Sequence, residues 1–160
     1  MEIGFERVVW PCRMEVLSHS PLLVADGAHN VYSIESLLRS HPEYLVYDRL
    51  ILVLGFSKDK NVEGMAKALG EKADRIYATA SRHPRSLTPA EVYGLFEGKS
   101  EKVLEVATPA EALKLALDGA KNDDLVLATG SLFLSAEVRE SALGIEPEIY
   151  PELPTSGLSA

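Results

Sequence analysis

The chain reads as a three-layer α/β domain. It has a mostly parallel sheet of about six strands, one of them an antiparallel edge strand, with helices on both faces. Three observations predict this. Behind an N-terminal hairpin, short apolar runs alternate with amphipathic segments, the pattern of parallel strands joined by crossover helices. Leu50-Ile51-Leu52-Val53-Leu54 is apolar at every position, as a strand covered on both faces must be. The loops of unusual polar content all follow strands, where the binding loops of such sheets lie.

Arg13-Met14-Glu15-Val16-Leu17 alternates polar with apolar residues, which suits a half-exposed strand. Ser18-His19-Ser20-Pro21 turns the chain, and Leu22-Leu23-Val24-Ala25 is the first core strand. Val31, Ile34, Leu37 and Leu38 share one helical face. That helix is expected to stop near His41, because Pro42 disfavours helix in the residue before it; one further turn stays open as an alternative. After the strand at Leu50, the residues Val62, Met65, Ala66 and Leu69 make a second helical face that Gly70 ends. Arg75-Ile76-Tyr77-Ala78-Thr79 is the next strand. Thr88-Pro89-Ala90-Glu91 and Thr108-Pro109-Ala110-Glu111 each join a capping box to a proline at the first helical position, so both start helices. Lys102 to Val106 and Asp124 to Ala128 are strands, and Thr129-Gly130-Ser131 caps a helix from Leu132 to Arg139. Residues 1–12 are expected to be an arm or linker, 13–143 the domain, and the proline-bearing 144–160 a loosely packed tail.

At 160 residues the chain suits one domain, and a 46% hydrophobic content supplies a core. A formal net charge of -8 argues against nucleic acid as a partner, because phosphate backbones need a basic surface. Cys12 is the sole cysteine, so neither an intrachain disulfide nor a cysteine-based zinc site can form; a reducing cytoplasm fits. No apolar run approaches the ~18 residues of a membrane span, and Met1 to Trp10 does not read as a signal peptide.

The candidate site is Asp26-Gly27-Ala28-His29-Asn30, a buried strand running into a helix. Asp26 and His29 would meet at a helix N-terminus, whose free N–H groups favour an anion. A plainer reading makes Asp26 or Asn30 a helix cap and His29 a surface residue. Thr129-Gly130-Ser131 offers amides and a hydroxyl to a carboxylate or phosphate, or is an ordinary cap. Ser131 lacks the second glycine of a nucleophile elbow, which argues against a hydrolase. Neither a phosphate loop nor Gly-x-Gly-x-x-Gly occurs, so the chain has no motif of its own for a triphosphate and magnesium. His41, His83, Lys58 and Lys60 read as surface residues and Arg13 as a solvated charge. Nothing in the spacing requires a metal.

These pieces together resemble a family. Trp10-Pro11-Cys12-Arg13-Met14-Glu15, followed by Asp26-Gly27-Ala28-His29-Asn30, is similar to the signature that opens the C-terminal domain of Mur-type ligases, Pro-Gly-Arg-x-Glu and then Asp-x-Ala-His-Asn-Pro. Gly55-Phe56-Ser57-Lys58-Asp59-Lys60, His83-Pro84-Arg85-Ser86-Leu87-Thr88 and Asp123 to Leu134 narrow the likeness to folylpolyglutamate synthase and its bifunctional dihydrofolate synthase relatives. The resemblance implies a Rossmann-like C-terminal domain of an ATP-dependent carboxylate–amine ligase. In such ligases ATP phosphorylates a folate carboxylate, the amine of glutamate attacks the acyl phosphate, and phosphate leaves.

By the same resemblance Arg13 matches an arginine on the ATP phosphates and Asp26 an aspartate that contacts the nucleotide at its ribose. His29 matches a catalytic histidine beside the incoming glutamate, and Ser131 a serine near the amino-acid carboxylate. ATP and Mg are the implied cofactors. The Mg ligands and phosphate loop are expected on an N-terminal ATPase domain that lies outside these 160 residues, and the chain alone is expected to be inactive. That domain, ATP, glutamate and a folate are the implied partners, without nucleic acid or membrane. Two departures stand out. Cys12 takes the place of a glycine, which is expected to tighten the turn that aims Arg13. Val31 takes the place of a proline, which leaves the helix start less fixed. The alternatives that stay open are another Mur-type amino-acid ligase and a stand-alone Rossmann-like binding module.

Overall fold

The computed structural model describes residues 10–96, 101–147 and 149–150, and of 41–44 the backbone alone. The elements are β1 Glu15–His19, β2 Leu22–Ala25, α1 Val31–Tyr44, β3 Leu50–Leu54, α2 Val62–Lys72, β4 Arg75–Ala78, α3 Pro89–Gly94, β5 Val103–Glu105, α4 Pro109–Gly119, β6 Leu125–Thr129 and α5 Leu132–Leu143. They build one six-stranded sheet in the order β1-β2-β6-β3-β4-β5. The β1–β2 pair is antiparallel and the others are parallel, as expected from the hairpin followed by alternation.

Alternate residues of each strand point to opposite faces, and two apolar clusters result. Val24, Leu50, Leu52, Leu54, Ile76 and Leu127 pack with Ile34, Leu37, Met65, Leu69 and Val92, on the side that carries α1, α2 and α3. Leu23, Ile51, Val53, Tyr77 and Val126 pack with Ala112, Leu113, Ala116 and Val138, on the side of α4 and α5. This division places the loops. The chain leaves β2, β3 and β4 toward the first face, and β5 and β6 toward the second. Loops therefore diverge on either side of β6, and again between β4 and β5. Such divergence opens crevices at the carboxyl edge of a parallel sheet.

Several expectations shift in detail. α1 continues past Pro42 to Tyr44; a proline in the last turn removes one ladder hydrogen bond but need not end a helix that its apolar face holds on the sheet. β1 begins at Glu15, not Arg13, because Cys12 (φ 57°) and Met14 (φ 47°) both adopt the left-handed conformation. α5 runs to Leu143 and ends on left-handed Gly144 (φ 64°), a common helix stop. The expected N-terminal arm lies outside the described residues except at Trp10, Pro11 and Cys12. Most of the expected tail lies outside them too. Tyr150, within that tail, packs edge-on against His83 and Phe133, with ring centroids 5.5 Å away in each case.

Candidate functional site

The Asp26–Asn30 loop leaves β2 at the divergence beside β6. Asp26 is buried, and both of its carboxylate oxygens are engaged: Oδ1 accepts from Ala28 N and Oδ2 from Met14 N, each at 2.9 Å. It therefore ties the turn at residues 12–14 to the end of β2. Gly27 N donates to Cys12 O at 2.7 Å. Glu15 adds a third tie, accepting from Cys12 N at 2.9 Å while its carboxylate receives Arg139 Nε at 2.9 Å. Arg13 projects from a turn held at three points. Burial, with the Glu15 charge second, pushes the Cys12 thiol up to about 11, so it stays protonated at neutral pH.

The helix cap is Asn30, not Asp26. Asn30 Oδ1 accepts from Ser33 N at 2.8 Å, and Ser33 Oγ accepts from both His29 N and Asn30 N at 3.1 Å. These bonds engage the amides of His29, Asn30 and Ser33 within the loop and the first turn of α1. His29 is exposed. Its Nδ1 lies 2.7 Å from Gly27 O. A carbonyl can only accept, so Nδ1 of the neutral ring carries the proton and Nε2 presents a lone pair.

α5 behaves differently. Ser131 sits at its N-cap, yet makes no side-chain cap bond. The other helix starts are capped, α2 by Asn61, α3 by Thr88 and α4 by Thr108. Gly130, before Ser131, has φ 97°, and a Cβ there would lie 2.6 Å from Gly55 O. Only glycine permits this approach of the β6 and β3 ends.

Two cavities follow. The larger, about 630 Å³, is lined by Trp10, Arg13, Asp26, His29 and Tyr32 among others. The smaller, about 250 Å³, is lined by His29, Ser57, Asp59, Lys60, Arg85, Ser131, Leu132 and Phe133. His29 belongs to both. Arg13 and Asp26 thus meet His29 on one side, Ser131 meets it on the other, and Arg13 and Ser131 share no cavity.

Lys60 and Arg85 were missed as site residues. The β3–α2 and β4–α3 loops are zipped together by Lys58 N to Arg85 O and Leu87 N to Phe56 O, both at 2.9 Å, which brings the two cations to one place. Asp59 lies 3.4 Å from Lys60 and 3.7 Å from Arg85. The signal was available: both loops follow strands whose ends share one edge. His83 is a correction. Expected at the surface, it is buried, stacked on Phe133 at 3.8 Å between ring centroids, and its Nδ1 accepts from Arg85 N at 3.2 Å. Burial first, then the Arg85 charge, holds its pKa below the ordinary value. Among the described residues no group of three or more His, Cys, Asp or Glu is placed to hold a metal ion, and no helix is long and apolar enough to cross a membrane.

Comparison with known proteins adds the following. The probable bifunctional folylpolyglutamate synthase/dihydropteroate synthase of Halobacterium salinarum is 35% identical over 137 residues, which cover 85% of this chain and 17% of that protein. The folylpolyglutamate synthase of Lacticaseibacillus casei is 32% identical over 136 residues, covering 84% of this chain and 30% of that protein. The solved structure of E. coli FolC in complex with DHPP and ADP superposes with a TM-score of 0.79 at 26% identity, over 88% of this chain and 33% of that one. The chain thus spans about a third or less of the length of these relatives. The family described as Mur ligase, glutamate ligase domain, matches residues 12–132. This chain belongs to that family.

Proposed function

We propose that the chain supplies half of the active site of an ATP-dependent folylpolyglutamate synthase-like ligase in the cytoplasm, joining glutamate to a folate through an acyl phosphate. The observation that carries this reading is that His29, together with Leu132, lines both cavities. The larger cavity takes the nucleotide, with Arg13 toward its phosphates and Asp26 both bracing the turn and lying beside the ribose. The smaller takes the amino acid. Its carboxylates face Lys60, Arg85, the Ser131 hydroxyl and the uncapped start of α5, a chemistry that favours anions.

In this reading the amine of the incoming amino acid lies at His29, whose Nε2 lone pair accepts an N–H and aims the nitrogen at the acyl carbon. The C–N bond forms, the amine proton passes to His29 Nε2, the C–O bond to phosphate breaks, and phosphate leaves. Arg13 stabilises charge that builds on the transferred phosphoryl group. The magnesium and the phosphate loop belong to an N-terminal ATPase domain, which is the proposed partner.

Phosphate release with ATP, a folate and glutamate tests the reading. The expected result is release from a gene product carrying both domains, a loss of about a hundredfold in kcat for His29→Ala, and none from this chain alone. Robust turnover by this chain alone, or an unaffected His29→Ala enzyme, would sink it. Phosphate release driven by a cell-wall precursor and not by a folate would select another Mur-type ligase.

A further inference from the structure

Two residues that line the smaller cavity, Arg85 and Phe133, are held by side chains that do not line it. His83 is buried and stacks on Phe133, with 3.8 Å between ring centroids and 15° between the planes. Its Nδ1 accepts from Arg85 N at 3.2 Å, and Arg85 O accepts from Lys58 N at 2.9 Å. The backbone of Arg85 is thus held at both its N–H and its carbonyl, while its side chain stays 54% exposed.

Tyr150 reaches this pair from the far end of the chain. Its ring meets His83 and Phe133 edge-on, at 5.5 Å in each case. Its hydroxyl lies 3.3 Å from Glu137 Oε1, and the Arg82 guanidinium lies 5.7 Å from its ring centroid. Glu137 Oε1 also accepts from Arg82 N at 2.7 Å, and Arg82 Nη2 donates to Glu140 at 2.8 Å. The β4–α3 loop is therefore pinned to α5 twice, by Arg82 on two carboxylates and by His83 on Phe133, and Tyr150 touches both pins.

The pinned loop carries Arg85, and α5 carries Ser131 at its uncapped start. Fixing one to the other sets the span between the cation and the helix start. A long, exposed arginine side chain keeps many rotamers, so the part of Arg85 that the fold can preorganise is its backbone. A misplacement of about 1 Å in such a group can cost about a hundredfold.

We propose that Tyr150 and His83 are positioning residues of the amino-acid cavity: Tyr150 clamps the His83–Phe133 stack, and the stack holds Arg85 opposite the start of α5 for a carboxylate of the incoming amino acid. The inference rests on the amino-acid reading of the smaller cavity above, and adds to it two residues that act only through their neighbours.

The test is steady-state phosphate release by the gene product carrying both domains. Glutamate is varied at saturating ATP and folate, then ATP at saturating glutamate. Tyr150→Ala, His83→Ala and Arg85→Ala are each expected to raise the KM for glutamate about tenfold, with kcat and the KM for ATP within about threefold of native. A loss of folded enzyme lowers the apparent kcat and leaves KM in place, so the split separates positioning from stability. Tyr150→Phe keeps the ring contacts and is expected to keep the native KM. The Tyr150→Ala, Arg85→Ala double variant is expected to stay close to Arg85→Ala alone, because one residue acts through the other. If Tyr150→Ala fails to fold, Tyr150→Leu, which keeps an apolar side chain in place of the ring, is held to the same criterion.

A native glutamate KM in Tyr150→Ala, in His83→Ala or in Arg85→Ala overturns the positioning role and leaves the amino-acid reading standing. Effects that multiply in full in the double variant do the same. A Tyr150→Phe enzyme as impaired as Tyr150→Ala assigns the effect to the Glu137 hydrogen bond and overturns the clamp. A native glutamate KM in both Arg85→Ala and Ser131→Ala overturns the amino-acid reading, and this inference with it.

Discussion

Asp26 shows how one carboxylate can serve a site without being spent on the ligand alone. Its two oxygens hold Met14 N and Ala28 N, so the turn that carries Arg13 and the loop that carries His29 hang on the same side chain. Asp26→Ala leaves two N–H groups unpaired in a buried setting and is expected to lower stability by about 2–4 kcal/mol, read as a shift of the urea midpoint. An unchanged midpoint would mean that Asp26 acts on the ligand only. His83 carries the pH dependence of the neighbouring loop. Its pKa is lowered from 6.5 by burial and by Arg85. Above about pH 6.5 folded and unfolded forms are both neutral at this ring, and stability is level. As pH falls below that value the unfolded chain takes the proton first, so stability drops, and protonation also ends the acceptance of Arg85 N. Chemical denaturation at about pH 7.5 and about pH 5.5 should show the loss in the native chain and a smaller loss in His83→Gln. Equal losses in both would assign the pH effect elsewhere.

At the scale of elements, the helix starts divide by what their first residue does. Thr88 and Glu91 form a reciprocal capping box on α3: Thr88 Oγ1 accepts from Glu91 N and the Glu91 carboxylate accepts from Thr88 N. The repeat of the same four letters at Thr108 gives the forward bond alone, to Glu111 N. Ser131 gives neither. Thr88→Ala should therefore cost about 1 kcal/mol, whereas Ser131→Ala should stay within about 0.5 kcal/mol and weaken glutamate binding in the two-domain enzyme. A Ser131→Ala chain that loses as much stability as Thr88→Ala would return Ser131 to the role of an ordinary cap. Sequence placed all of these helix starts, because capping residues act on their own neighbours in the chain. It could not say which hydroxyl is left over, since that depends on the Gly130 backbone, set by its approach to Gly55 across the sheet.

At the scale of the molecule, the site exists because loops diverge around β6. β6 is late in the chain but is inserted between β2 and β3, and its helix leaves on the opposite face from theirs. That is what brings Ser131 to within one cavity of His29. The far end of the chain is tied into the same region. Tyr150 packs on His83 and Phe133, and its hydroxyl lies 3.3 Å from Glu137 Oε1; burial, with Glu137 next, raises the phenol to about 12. Tyr150→Ala should cost about 2 kcal/mol by loss of these ring contacts and the hydrogen bond, and Tyr150→Phe less than half of that. Equal and negligible effects on the thermal midpoint would show that the tail merely rests on the domain.

The sequence alone determined the alternation of strands and helices, the caps, the covered central strand and the Arg13, Asp26, His29 and Ser131 candidates. The first three follow from the periodicity of burial or from hydrogen bonds between near neighbours in the chain, whereas the four candidates rest on the resemblance to the Mur-type ligase signature. Tertiary structure decided the rest. It set the position of β6, the passage of α1 beyond Pro42, the burial of His83 and the meeting of Lys60 with Arg85. These depend on contacts between residues far apart in the chain, and on which hydrogen-bonding groups the fold has already used. Side-chain letters do not carry that information, because the same aspartate can cap, tether or bind until its neighbours in space are known.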